Sequence, residues 1–203
     1  ETDGQQNDAD ETPVVISAGN FHAEPIGLAL DYIKIGLVEL GNISERRVAR
    51  LVDQALSNGL PPFLTRHGGL ESGFMIGQYT AAALASQNKV LAHPSTADTI
   101  PTSANTEDHV SMAANAVHHA QQVVENVEHI VAIELLTAAQ GVDFRQEQLG
   151  ATARLGEGTA IAHRLIRDRV PFLAHDAPLA PQIEAVWSLV NSGELVHTVD
   201  QQI

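Results

Sequence analysis

Two short polar islands carry the side chains with which this chain could do chemistry. In "IPTSANTEDHVSM" (100–112) the ionisable triplet Glu107, Asp108 and His109 follows small and polar residues behind Pro101. In "AGNFHAEP" (18–25) Phe21, His22 and Glu24 stand among turn formers. Charge gathered at such a place asks for a reason, because the segments behind look made for burial. An apolar-periodic segment follows each island, so each is expected at the N-terminal end of a helix. Spare N–H donors and the positive end of the helix dipole favour anions there. Spacing alone also allows both islands to be plain caps, with Asn105 as N-cap, Glu107 and Asp108 in the first turn, and Pro25 in the other first turn.

Competing chemistries fare worse. Ten histidines raise the question of metal binding, but H-E-x-x-H is missing and there is no cysteine to act as a soft ligand. His118 and His119 are adjacent, so on a helix they diverge by about 100°. Glu125 and His129 are four apart and fit a pair on a solvated helix face. No metal is expected. G-x-x-x-x-G-K-[ST] and G-x-S-x-G are also missing, which speaks against nucleotide phosphates and a serine nucleophile.

The elements that must position the islands read as helices. Ile26, Leu30, Ile33, Leu37 and Leu40 follow helical spacing within a segment so aliphatic that it belongs inside a bundle. Gly41 reads as its stop. Asn42 and Glu45 have capping-box spacing, which starts a second helix running to about Leu56. A third is expected from about Phe74 to Leu91. The next, from Glu107 to about Gln140, carries Val110, Val117, Val124 and Val131 every seven residues, with Ala113, Ala120 and Val127 as the second seam position. Glu134 interrupts that seam and calls for a buried partner or a polar junction. Shorter helices are expected near 151–169 and 181–190, and "PVVIS" (13–17) fits a short strand or extended segment.

Composition narrows the partners. The 203 residues are 44% hydrophobic and only 4% aromatic, with a formal net charge of −14. Such a surface repels phosphate backbones, so nucleic acid is excluded as a partner. The most apolar run, "IVAIELLTAA", is short and carries Glu134, which excludes a membrane span. Only two lysines occur, at 34 and 89. An acidic, lysine-poor surface fits either adaptation to concentrated salt or an ordinary acidic cytoplasmic protein. The chain begins with Glu1, not Met; we read this as processing or as a piece of a longer chain.

"SAGNFHAEP", "LGNISERR", "LPPFL", "SGFMIGQYTAAALASQNKVLAHP" and "PTSANTEDHVSM" follow one another in an order that resembles the histidine ammonia-lyases, from about Ile16 to Arg145 and more weakly to Ile203. The resemblance implies an all-α, long-helix bundle of the ammonia-lyase (fumarase/aspartase-like) type, here incomplete. It would comprise an acidic start (1–15), a central bundle region (16–145) and a C-terminal helical region (146–203). It implies a cytoplasmic homotetramer that eliminates ammonia from L-histidine to give trans-urocanate. Phe21 matches the family's pocket-lining aromatic and Glu107 the acid of the TSAN-x-ED motif, implying Phe21, His22 and Glu107 as substrate-binding and Glu107 as catalytic. "NFH" and the acid at 107 point to the histidine branch, with phenylalanine or tyrosine lyases, an aminomutase, or a non-catalytic assembly fragment as alternatives. The family's methylidene-imidazolone group forms from Ala-Ser-Gly in the N-terminal half. That tripeptide does not occur here, and "SAG" (17–19) is not a substitute. The chain alone is therefore expected to be inactive and to need that N-terminal half as its partner.

Overall fold

Six α-helices build the molecule: α1 Glu24–Val52, α2 Met75–Leu91, α3 Ala113–Leu149, α4 Glu157–Arg169, α5 Ala180–Asn191 and α6 Glu194–Gln202. The computed structural model describes residues 15, 16, 19 and 21–203; no strand occurs among them, and the acidic start and most of "PVVIS" lie outside them. The 37-residue α3, roughly 55 Å long at 1.5 Å per residue, is the central rod. Helices α1, α2 and α5 pack along it, and α4 and α6 pack together at its far end. The main core gathers Val48, Phe74, Ile130, Ile133, Leu136 and Val186, each at most 1% exposed.

Gly41 does not stop a helix. The chain runs through it as α1, and Asn42 and Glu45 form no capping box. The glycine is there for contact with α3: a Cβ at Gly41 would lie 3.1 Å from Val127 Cγ2. That close approach offsets the roughly 1 kcal/mol a mid-helix glycine costs. Glu45 is buried, accepting two hydrogen bonds from Arg46 and one of 3.2 Å from Gln78.

The buried face of α1 is not its aliphatic one. Gly27, Asp31, Lys34, Val38, Gly41, Ser44, Glu45, Val48 and Val52 are buried, at helical spacing. Ile26, Leu28, Ile33, Ile35 and Leu40 instead face outward. The valine row of α3 behaves likewise: Val117 and Val124 are exposed, while Ala113, Ala120 and Val127 are buried together with Ala116, Val123 and Ile130. Small and polar side chains let the two rods approach closely, and the bulkier apolar faces are left for other contacts. Glu134 meets the expectation of a partner, with its Oε1 3.3 Å from Arg47 Nη1 on α1. Glu125 and His129 do not pair through side chains. His129 stacks on Trp187 and faces Glu184, tying α3 to α5.

Two further boundaries differ from expectation. Helix α3 begins at Ala113 rather than Glu107, behind Met112 in the left-handed region (φ 53°). Helix α6 follows α5 after a turn at Gly193 (φ 74°), a short amphipathic element the sequence reading had not separated.

Candidate active site

The two islands meet. His22 lies just before α1, and its Nε2 is 3.0 Å from the backbone oxygen of His109. The two imidazoles stack at 5.3 Å with an interplanar angle of 3°. Phe21 stands edge-on to His22 at 6.4 Å and is 91% exposed. The contact brings the segment with the exposed Phe21 ring against the loop that carries, two residues before His109, the exposed Glu107. His109 is thus the joint between the islands.

Glu107 is not in the first turn of α3, so the helix dipole does not act on it there. Five residues of loop intervene, and local chemistry shows why. The Thr102 N–H donates to the Glu107 carbonyl at 3.0 Å, closing a small antiparallel bridge. The Thr99 hydroxyl donates to the Val110 carbonyl at 3.0 Å and accepts from the Val110 N–H at 2.9 Å. These clamps divert the backbone from helix. At the tip Ser103, Ala104 and Asn105 all have positive φ (52°, 51° and 70°), an arrangement that costs non-glycine residues energy. Strained, clamped loops of this kind are typical of places where a side chain must be held in one position. Among the described residues the Glu107 carboxylate takes no hydrogen bond, which leaves its oxygens free for a ligand.

What fixes the loop to α1 was missed by sequence reasoning. Asp31 and Lys34 are buried, with Lys34 Nζ 2.7 Å from Asp31 Oδ1. The same ammonium donates to the His93 carbonyl at 2.9 Å. Asp31 Oδ2 accepts from the Thr96 N–H at 2.8 Å and the Thr96 hydroxyl at 2.7 Å. The ion pair thus grips residues 93–96, where the loop begins that carries Glu107. Two opposite charges three apart within an otherwise aliphatic helix were the available signal.

Burial pushes the Asp31 carboxyl upward, but the Lys34 ammonium and the Thr96 donors outweigh it and hold the carboxyl at about 2. An unfolded Asp titrates near 3.9. The stabilisation is therefore complete above about pH 4 and is lost as pH falls through about 2, amounting to about 2 kcal/mol. Urea unfolding followed from pH 5 to pH 2 is expected to show this loss. The Asp31→Asn variant, less stable throughout, should lack that part of the slope.

The exposed Phe21 ring and Glu107 side chain offer a planar face and a hydrogen-bond acceptor on two segments that touch.

Comparison with known proteins gives the family. The family model described as aromatic amino acid lyase matches residues 4–168. The histidine ammonia-lyase of Chloroflexus aurantiacus is 56% identical over 189 residues, which cover 93% of this chain and 36% of that protein. Among solved structures, the Trypanosoma cruzi histidine ammonia-lyase superposes with a TM-score of 0.84 at 47% identity, over 96% of this chain and 37% of that one. The tyrosine aminomutase of Streptomyces globisporus superposes with a TM-score of 0.85 at 33% identity, over 95% and 36%. The chain thus spans little more than a third of the relatives it matches, and across that span it belongs to the aromatic amino acid lyase family.

Proposed function

We propose that this chain supplies one wall of the active site of a histidine ammonia-lyase, the enzyme that eliminates ammonia from L-histidine to give trans-urocanate. The observation that carries the reading is the His22–His109 contact, which brings residues 87 apart in sequence together and so sets Phe21 and the Glu107 loop on one rim. In this role Phe21 packs against the planar substrate, and Glu107 accepts a hydrogen bond from the substrate's imidazole N–H or ammonium group. His22 holds the rim closed through His109.

The exposed aromatic ring and free carboxylate fit a site whose opposite wall carries an electrophile. In this family a methylidene-imidazolone would supply it and activate the substrate for loss of ammonia. Its residues lie outside this chain, since no Ala-Ser-Gly occurs here. The outward aliphatic rows of α1 (Ile26, Ile33, Leu40) and α3 (Val117, Val124) support burial against further polypeptide, in keeping with a homotetramer. No helix among the described residues is long and apolar enough to cross a membrane.

The test is to assay the chain alone and joined to, or co-expressed with, the Ala-Ser-Gly-bearing half of the enzyme. Urocanate formation from L-histidine by the complete enzyme only is expected. Cinnamate or coumarate formation from phenylalanine or tyrosine would assign it to the other branch. No turnover of any of the three amino acids by the complete enzyme would reduce the chain to an assembly element.

A further inference from the structure

Far along the chain from the rim, His67, Glu71 and His175 converge. Each offers one ligand atom, and the three atoms lie within 4.8 Å of one another. The loop between the Pro62–Leu64 turn and α2 brings His67 and Glu71, and the extended segment between α4 and α5 brings His175, 104 residues from Glu71. Glu71 Oε1 lies 2.8 Å from His175 Nδ1. The imidazoles of His67 and His175 stack at 5.9 Å with an interplanar angle of 2°.

We propose that His67, Glu71 and His175 form a divalent transition-metal site, best suited to Zn²⁺, that ties these two segments together. Two imidazole nitrogens and one carboxylate oxygen are a recurrent three-ligand zinc set, with water in the fourth position. The same donors disfavour Mg²⁺ and Ca²⁺, which take oxygen ligands. Bonds of 2.0–2.1 Å at tetrahedral angles put ligand atoms about 3.3 Å apart. Reaching that spacing requires the exposed rings of His67 and His175 to turn out of their parallel stack, since each nitrogen lone pair lies in its ring plane.

The surroundings are built for such an ion. Glu71's other oxygen, Oε2, accepts a hydrogen bond of 2.8 Å from the Thr65 hydroxyl. This leaves Oε1 turned to the imidazoles, as ligating carboxylates are commonly oriented. Asp176, next to His175, accepts from the N–H groups of Ser72 and Gly73, both at 2.8 Å. Gln140, inside the core, donates to the carbonyls of Leu64 and Leu173 and accepts from the Leu173 N–H. Both ligand-bearing segments are therefore docked before any ion arrives. An ordinary His175–Glu71 ion pair explains one contact; the His67 imidazole adds a third donor within 4.8 Å of both.

The test uses the purified full-length protein carrying this chain, stripped with a chelator and titrated with Zn²⁺ and, for its visible spectrum, with Co²⁺. Expected are one tight Zn²⁺ per chain, a raised thermal midpoint, and intense Co²⁺ bands of tetrahedral coordination. His67→Ala and His175→Ala, which alter exposed rings and leave the fold intact, should each weaken that binding at least about tenfold and abolish the bands. His118→Ala should change neither. Equal affinity and stoichiometry in His175→Ala and in the unaltered protein, or octahedral Co²⁺ spectra throughout, would overturn the assignment and leave only scattered surface histidines binding the metal.

Discussion

Replacing Glu107 by Gln in the complete enzyme is expected to lower kcat about 100-fold while changing unfolding free energy by no more than about 0.5 kcal/mol. The two halves of that expectation have separate causes. Glu107 is exposed, and its only bond among the described residues is made by its backbone carbonyl, which accepts from Thr102. An amide of the same shape leaves that bond in place. What changes is the charge offered to the substrate. A hydrogen bond to a charged group contributes about 1.5–3 kcal/mol, or roughly 10- to 150-fold in rate if the contact tightens in the transition state. A general base is worth up to about 10⁴-fold. The size of the loss therefore separates an orienting acceptor from a proton-transfer group. Steady-state kinetics with a parallel urea melt measure both quantities. Unchanged turnover per folded site would remove Glu107 from the reaction.

Lys34→Met is expected to cost about 3–5 kcal/mol, because it strands a carboxylate in the interior. Lys34 is fully buried and Asp31 nearly so. Once the ammonium is gone, Asp31 keeps only neutral donors, chiefly those of Thr96, and the His93 carbonyl loses its partner. Adding Asp31→Asn should recover a substantial part of the loss, since the double variant buries no net charge. The comparison is made by urea unfolding at pH 7, well above the range in which Asp31 titrates. A loss below about 1 kcal/mol in the single variant would mean that water reaches the pair.

The loop breaks were legible because proline and glycine punctuate locally: Leu91 does end α2, ahead of Pro94. The course of α1 was half legible. Helical periodicity is satisfied equally by its aliphatic row and by Gly27, Asp31, Lys34, Val38 and Gly41. Hydrophobicity alone selects the first, whereas packing against α3 selects the second. The start of α3 was misplaced for a similar reason. "TSANTED" has every local mark of a cap, and what overrules it is a clamp between Thr99 and Val110, 11 residues apart. At the rim, Phe21, His22 and Glu107 could be singled out from motif resemblance. That His22 reaches His109 depends on a separation of 87 residues that no local pattern encodes. The same distance problem hid His175 from Glu71.

Gly27 and Gly41 together make α1 a vernier. At Gly27 a Cβ would lie 2.8 Å from Thr96 Cγ2 and 3.2 Å from the Ala113 Cα; at Gly41 it would strike Val127. The two notches are 14 residues apart, about 21 Å along the axis; Gly27 lets the start of α3 and its leading loop come close, and Gly41 does the same for the middle of α3. A slip of one residue would advance His22 by about 1.5 Å and swing it by about 100°, carrying it away from His109. The alignment of His22 with His109 thus leans on two missing side chains, one of them far down the rod, and a methyl group added at the Gly27 notch would disturb a contact it never touches.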